Sequence, residues 1–344
     1  MVTDLTYTDA SWTELGVVTE YELDMAWGID ENDFELKMGT TPALAPRSLV
    51  YVEGTEWGGV IDRRSVDETT GEVEVVYGGR TWHGILAGRV ICPPSGADYR
   101  TYSGDANALI AELIGEYGLS ELFTVPSEAS AQISGRFDRY CTLYDGLKKE
   151  LNRHGLRLDI VKPSGSKVVI SAVAASDLSG DYYSDQYDFK VDEETTHVNH
   201  LVCLGKGELK EREVVHLYAD GDGNVSSSQT FIGADERVAV YNNNNATDLP
   251  KYDDEGNITN ADDETLTELG TQRLLELQEE SEIELFLEDQ ATACIGDSVG
   301  AQSVSTGISV TGTVNKLVLK IGSDGVPVIS HEVGKLVEES EEEL

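Results

Sequence analysis

Carboxylates are the side chains of this sequence with the greatest capacity for chemistry, since 64 of its 344 residues are Asp or Glu. Hydrolysis of a glycosidic bond needs two carboxyl groups that flank the bond in a cleft, with the pKa of one raised by burial. Asp62, Glu74, Asp138 and Asp159 are the candidates, because they lie in apolar-rich segments. Acids in alternating strands mostly face solvent, so we expect surface groups rather than a catalytic pair.

An acidic turn is the first candidate metal site. Asp220, Asp222 and Asn224 copy the first half of an EF-hand loop. That loop also needs glycine at its sixth position and a bidentate Glu at its twelfth. Val225 and Phe231 stand at those positions, so we predict a plain hairpin turn without calcium.

A histidine and cysteine group is the second candidate. His197, His200 and Cys203 follow one another at intervals of three residues, which suggests zinc. On a strand, residues three apart point to opposite faces, so these side chains cannot converge on one ion. No Gly-x-Ser-x-Gly segment, P-loop or dinucleotide-binding glycine motif occurs either, and Ser95 lies in a turn context. We predict no catalytic residue, no metal site and no cofactor.

The tryptophans define one alternative function. All four, Trp12, Trp27, Trp57 and Trp82, fall within the first 92 residues. A flat indole can stack on a sugar ring, which would make the chain a carbohydrate-binding adhesin. Large aromatic side chains also carry much of the packing energy of cores and interfaces, and we expect that role here.

The charge of the chain excludes one class of partner. Lys and Arg total 25 against 64 acids, which gives a formal net charge of −39. A nucleic-acid-binding surface needs clustered cations, so specific nucleic-acid binding is not expected. The charge fits either adaptation to salt or to an acidic host proteome, or a surface that repels passing nucleic acid.

Cysteine spacing and hydropathy indicate the compartment. Cys92, Cys141, Cys203 and Cys294 are widely spaced, so we interpret them as reduced, buried apolar residues. Residues 1–7 lack the basic and apolar regions of a signal peptide, and no apolar run is long enough for a membrane span. We expect synthesis in a cytoplasm without signal-peptide export, and no stable membrane insertion.

The elements that position these residues predict an α+β, mainly β, fold. Residues 1–92 read as short strands with glycine turns, typical of a small β-barrel or sandwich, and we predict the barrel. Residues 93–190 read as an α+β insert with helices at 106–117 and 142–154. Residues 191–335 read as a second β-barrel that contains a long acidic loop, 242–263. An acidic tail, 336–344, is expected to be disordered.

The C-terminal part has an unusual order of elements. A long helix is predicted over 263–287, then a turn at Gly296 and Asp297, then alternating strands at 308–314 and 316–321. No nucleophile or ligand cluster accompanies these elements. We interpret them as the closing part of a barrel that assembles with copies of itself.

Four segments, 78–91, 199–208, 211–218 and 295–300, carry a resemblance that spans most of the chain. In their number and order they resemble the siphovirus ReqiPepy-type tail protein family, the hub proteins of phage tail tips and baseplates. The resemblance implies a homotrimeric hub with two tail-tube-like barrels from each chain. We interpret Gly78, Gly79, Gly84 and Gly88 as residues that shape barrel bends. No catalytic residue is carried over from the family.

The resemblance also implies partners and a location. The hub would lie in the virion at the tail tip, assembled in the bacterial host cytoplasm. Its partners would be copies of itself, the distal tail protein, the tape-measure protein, and tail-fibre or receptor-binding proteins. DNA would pass through an acidic lumen that repels it without specific binding. A cell-wall-degrading tail enzyme is the second alternative, beside the adhesin.

Overall fold

The computed structural model describes residues 3–69, 72–183, 198–220, 224–250, 265–278, 283–285, 293–302 and 309–334. The described chain is mainly β structure with few helices. It divides into two compact units: unit 1, Met1–Val191 with Ile283–Leu336, and unit 2, Asp192–Glu282 with Val337–Leu344. The three-domain division at residues 92 and 190 stays a prediction.

The elements are numbered along the chain. The strands are β1 (Leu5–Thr8), β2 (Glu14–Val18), β3 (Tyr21–Gly28), β4 (Asp33–Met38), β5 (Leu49–Tyr51), β6 (Gly58–Thr69), β7 (Glu72–Thr81), β8 (Arg100–Asp105), β9 (Phe123–Thr124), β10 (Gln132–Phe137), β11 (Leu156–Val161), β12 (Val168–Ala174), β13 (Asp177–Tyr183), β14 (His200–Leu204), β15 (Val214–Ala219), β16 (Val225–Ser226), β17 (Val238–Asn242), β18 (Ile283–Leu285), β19 (Ser298–Gln302), β20 (Ser309–Ile321) and β21 (Pro327–Gly334). The helices are α1 (Trp82–Ala87), α2 (Ala106–Glu116), α3 (Leu143–Arg153) and α4 (Leu266–Gln278), with short 3-10 turns at Leu209–Glu211 and Gly233–Asp235.

The largest sheet of unit 1 has 12 strands and joins both ends of the chain. Its path runs β13-β19-β20-β3-β4-β7-β6-β5-β1-β2, with β21 beside β20 and β18 beside β21. The antiparallel register of β20 on β3 places Leu317, Leu319 and Ile321 opposite Trp27, Met25 and Leu23. All of these side chains are buried, so matching apolar alternation fixes the pairing.

The two predicted barrels are not found as separate closed barrels among the described strands. Strands from both predicted barrels share the one large sheet, and the pairing between its described strands does not close on itself. Within this sheet Gly79 allows two backbones to approach closely. A Cβ there would lie 1.8 Å from the Val60 carbonyl oxygen, beside a bulge in β6.

The predicted helices at 106–117 and 142–154 are confirmed as α2 and α3 in unit 1. Asp105 and Thr142 cap them, each accepting a hydrogen bond from a backbone N–H of the first turn. The apolar faces of both helices lie in a second core with β11 and β12. That core supports the part of unit 1 in which a polar cavity is found.

Unit 2 contains a four-stranded sheet in the order β16-β15-β14-β17, and helix α4. Leu201, Cys203 and Leu217 on one sheet face form a core with Leu266 and Leu274 of α4. The leucines of α4 recur at the spacing of helix turns, so they lie on one side of the helix, and this side packs against the sheet.

The prediction of one long helix over 263–287 is wrong. The described helix is Leu266–Gln278, and Ile283–Leu285 is a strand paired with β21. Ile283 and Leu285 alternate with Glu284, a period of two that suits a strand. Residues 263–264, 279–282 and 286–287 lie outside the described residues, as do the tail 336–344 and most of the acidic loop 242–263.

None of the four cysteines, all of them within described segments, forms a disulfide. The expected burial holds only for Cys203, because Cys141 and Cys294 are of intermediate exposure and Cys92 is exposed. Cys92 precedes Pro93 and Pro94, which cannot continue a ladder of backbone hydrogen bonds.

Among the described helices, none is long and apolar enough to cross a membrane.

Candidate functional site

The four carboxylates considered for glycosidic chemistry each lie beside a cation. Asp62 accepts two hydrogen bonds from the Arg80 guanidinium, at 2.7 Å from Nε and 2.9 Å from Nη2, and a third from the Arg80 backbone N–H at 3.2 Å. This partner holds the pKa of Asp62 below its usual value, opposite to what a general acid needs. Glu74 lies 3.8 Å from the ammonium of Lys37.

The other two have cations of their own. Asp138 lies 2.5 Å from Lys149 Nζ, and Asp159 lies 2.8 Å from Arg157 Nη1. Four acids with four different cationic partners do not form the catalytic pair that a glycosidase needs.

A polar cavity in unit 1 is the candidate site that the structure itself presents. Three distant regions of the chain line it. The first is the N-terminal part, with Glu56 and His83; the second is α3 and β11, with six residues between positions 144 and 158; the third is Cys294–Gly296. The cavity has a volume of about 10 Å³. That is the room of a single water molecule, far below the volume of a sugar or a peptide.

His83 lies in α1 at the wall of this cavity and is buried. Its ring stacks on Trp27 with centroids 5.9 Å apart, and meets the Tyr144 ring edge-on at 5.2 Å. Burial, with the nearby Lys148 ammonium, lowers the pKa of His83 to about 3. The imidazole is therefore neutral at neutral pH, and its Nδ1 has no hydrogen-bond partner among the described residues.

Glu56 faces His83, with 3.6 Å between Oε2 and the imidazole Nε2. Burial, and next the negative charge of Asp159, raise the pKa of Glu56 to about 8. The carboxyl is therefore protonated at neutral pH. Burial likewise raises the pKa of Tyr144 well above its usual value, so its phenol stays neutral.

The third wall is a turn fixed by Asp297, whose side chain is buried. Asp297 accepts hydrogen bonds from the backbone N–H groups of Ser176 at 2.7 Å and Cys294 at 2.8 Å. It also lies 3.2 Å from Arg157 Nε. Gly296 has a φ of +95°, which favours glycine. The predicted turn at Gly296 and Asp297 is confirmed.

The chemistry of this cavity is limited. Burial, and next the charge of Glu56, raise the pKa of the Cys294 thiol to about 12, so it is no nucleophile at neutral pH. A neutral acid and a neutral imidazole could exchange a proton, but the cavity has no room for a substrate. Its geometry fits a junction that holds three distant segments of unit 1 together.

Sequence reasoning did not find Glu56 and His83 as a pair. Glu56 follows a glycine turn, and no spacing rule connects it to His83 or to Cys294. The available signal was the resemblance, because segments 78–91 and 295–300 contain His83 and Asp297.

The other predicted candidates occupy structural positions. Asp220 accepts a hydrogen bond from the Asn224 backbone N–H at 2.9 Å, as expected for a turn, while Asp222 lies outside the described residues. Cys203 is buried in the core of unit 2, and His200 projects from the opposite face of β14. His197 is outside the described residues. Within the described segments, no three His, Cys, Asp or Glu side chains are placed to hold a metal.

The tryptophans pack into unit 1. Trp27 and Trp82 are fully buried, and Trp57 and Trp12 are partly buried against the two cores. The Trp12 indole N–H also donates to the Arg47 carbonyl at 3.2 Å. A sugar platform requires an exposed flat face, and none of the four tryptophans falls in the exposed class.

Comparison with known proteins identifies the family. Residues 7–335 match the family described as Siphovirus ReqiPepy6 Gp37-like protein. The chain belongs to this family. The match covers nearly the whole sequence, including every residue named at the cavity of this Gp37-like chain.

Solved structures show the fold that the family shares with other proteins. The 43 kDa tail protein of prophage MuSo2 from Shewanella oneidensis superposes with a TM-score of 0.54 at 11% identity, covering 97% of this chain and 98% of that chain. The tail protein from Neisseria meningitidis MC58 gives a TM-score of 0.51 at 12% identity, covering 97% of both chains. No curated protein sequence matches. At these identities the likeness shows the Gp37-like fold alone.

Proposed function

We propose that this chain is a structural protein of a phage tail, the hub of the tail tip or baseplate, and that it acts as a homotrimer without enzymatic activity. The observation that carries the proposal is the family match over residues 7–335. Two proteins that share the fold along almost their whole length are tail proteins by name, one from Neisseria meningitidis and one from prophage MuSo2. A cavity with room for one water, and carboxylates paired with cations, supply no substrate site.

The open sheet of unit 1 supports assembly with other copies. Strand β2 ends the pairing path, and its Leu15 and Val17 are 58% and 55% exposed. An exposed apolar edge strand is a site of strand pairing between chains. In the proposed hub, barrels that are open in one chain close between subunits, two from each chain.

The proposed partners and location follow from this role. The hub contacts the distal tail protein, the tape-measure protein, and tail-fibre or receptor-binding proteins in the virion, after assembly in the host cytoplasm. With a net charge of −39 its lumen repels DNA rather than binding it. Two fully buried and two partly buried tryptophans disfavour the adhesin.

The mass of the purified full-length chain in solution tests the proposal. One subunit is 37.4 kDa, and we expect light scattering to give three times that mass. The mass is measured at low and at high salt, since salt screens the repulsion between acidic subunits. A trimer that forms only at high salt would show that charge repulsion opposes assembly. Negative-stain images should show a ring with an open lumen. A monomer at both salts that also fails to form rings with its neighbouring tail proteins would contradict the hub. Clearing of peptidoglycan in a zymogram would favour the tail enzyme.

A further inference from the structure

The outer face of the unit 2 sheet carries a cluster of polar and aromatic rings. His200 on β14 lies opposite Tyr218 on β15, and His216 lies two pairs further along on the same face, opposite Val202. This face is turned away from the core that Leu201, Cys203 and Leu217 form with α4. The cluster belongs to no role described above.

The first ring of the cluster is held in one orientation. His200 Nδ1 lies 2.7 Å from Glu236 Oε1, and the same oxygen accepts a hydrogen bond from Gln229 Nε2 at 2.9 Å. The Tyr218 ring stacks on His200 with centroids 4.3 Å apart. A carboxylate beside Nδ1 fixes the proton on that nitrogen, which leaves the lone pair on Nε2.

The second ring faces that lone pair. His200 Nε2 and His216 Nδ1 lie 2.8 Å apart. His200 is only 8% exposed, whereas His216 is exposed. A rigid, oriented imidazole therefore stands beside a second imidazole that can rotate in solvent.

We propose that His200 and His216 form a binding site for a divalent transition-metal cation of the zinc type, with Nε2 of His200 and Nδ1 of His216 as ligands and Glu236 as the group that orients His200. A ligating histidine that donates its other ring N–H to a carboxylate is the usual arrangement at such sites. Imidazole nitrogen selects zinc, nickel and copper over the oxygen-binding calcium and magnesium.

The geometry needs one small adjustment. Tetrahedral zinc with bonds of 2.0–2.1 Å holds two ligand nitrogens about 3.3 Å apart. The ring nitrogens must separate by about 0.5 Å from their present 2.8 Å. Rotation of the exposed His216 supplies this without moving the core. Among the described residues no third ligating side chain converges on the pair, so water completes the coordination.

Zinc titration of the full-length chain against a chromogenic chelator tests the site. We expect one zinc ion per chain at the pair, and at least tenfold weaker binding in His216→Gln than in the wild type. His154→Gln is the matched control, because His154 is also exposed and lies in unit 1. Magnesium, titrated in parallel, measures diffuse binding to the 64 carboxylates. Equal zinc affinity in wild type and His216→Gln, or wild-type zinc binding no tighter than magnesium binding, would overturn the proposal.

Ring-nitrogen NMR of the wild type gives a readout that depends on no variant. Zinc should shift His200 Nε2 and His216 Nδ1 and leave His200 Nδ1 protonated. Glu236→Ala should weaken zinc binding about tenfold and release the fixed tautomer of His200, an effect that a merely structural role would not produce. Unchanged ring-nitrogen signals at saturating zinc would mean that the two histidines only share a proton, which would also overturn the proposal.

Discussion

Two of the three buried histidines of the described structure, His83 in unit 1 and His200 in unit 2, differ in their partners. His83 lies between the rings of Trp27 and Tyr144, with Nδ1 unpartnered. Both ring nitrogens of His200 have hydrogen-bond partners, and its neighbour His216 reaches solvent. Burial alone therefore does not define the role of a histidine. The His83 ring is enclosed by its aromatic neighbours, whereas the lone pair of His200 Nε2 faces a second imidazole that reaches solvent.

Asp297→Ala is expected to have the largest effect on the unit 1 junction. The change removes two backbone hydrogen bonds and leaves the guanidinium of Arg157 with one carboxylate fewer. Breaking a buried ion pair costs about 3–5 kcal/mol of unfolding free energy. Urea unfolding followed by tryptophan fluorescence measures it, because all four tryptophans lie in unit 1. A loss below about 1 kcal/mol would show that the turn does not hold the cavity together.

Glu56→Gln should change how the stability of unit 1 depends on pH. The folded pKa of about 8 is raised above the ordinary value of 4.5. The stability that the protonated carboxyl contributes is therefore complete below pH 4.5 and is lost as pH rises to about 8. Between pH 5 and 8 the variant should gain up to about 4 kcal/mol relative to the wild type. Parallel curves for the two proteins would refute the assigned shift.

His83→Phe should show the opposite dependence. The folded pKa of about 3 is lowered from 6.5, so the stability contributed by the neutral ring is complete above pH 6.5 and is lost as pH falls toward 3. Phe keeps an aromatic ring beside Trp27 and cannot be protonated. Between pH 6.5 and 5 the variant should gain about 2 kcal/mol relative to the wild type. The same urea experiment at several pH values measures it, and a gain that appears at high pH instead would reverse the assignment.

The sequence predicted the regular elements better than the contacts between them. Helices α2 and α3 follow from capping residues and apolar spacing, which act within a few positions of the chain. The prediction of a helix over 263–287 applied the helical spacing of apolar residues beyond the end of α4, to Ile283–Leu285. These three residues form a strand instead, and their pairing with β21 is a long-range contact. Local pattern does not reveal such a partner.

The two sites failed to appear in the sequence for the same reason. Glu56, His83 and Cys294 meet only because strands from both ends of the chain share one sheet. His200 was considered with Cys203 along one strand, and the alternation of strand side chains correctly separated them. Its actual neighbour, His216, depends on the register of β14 on β15, which spacing along one strand does not give.

His216→Gln should have the smallest effect on stability without metal. The side chain is exposed, so its replacement should change the unfolding free energy by less than about 0.5 kcal/mol. Tryptophan fluorescence does not report on unit 2, so hydrogen exchange of the β14 and β15 amides measures the local effect. Zinc should slow that exchange in the wild type, because a ligand that binds only the folded state stabilises it, and should not slow it in the variant. Loss of several kcal/mol without metal would instead make His216 part of the packing of unit 2, and the contrast with His83 would disappear.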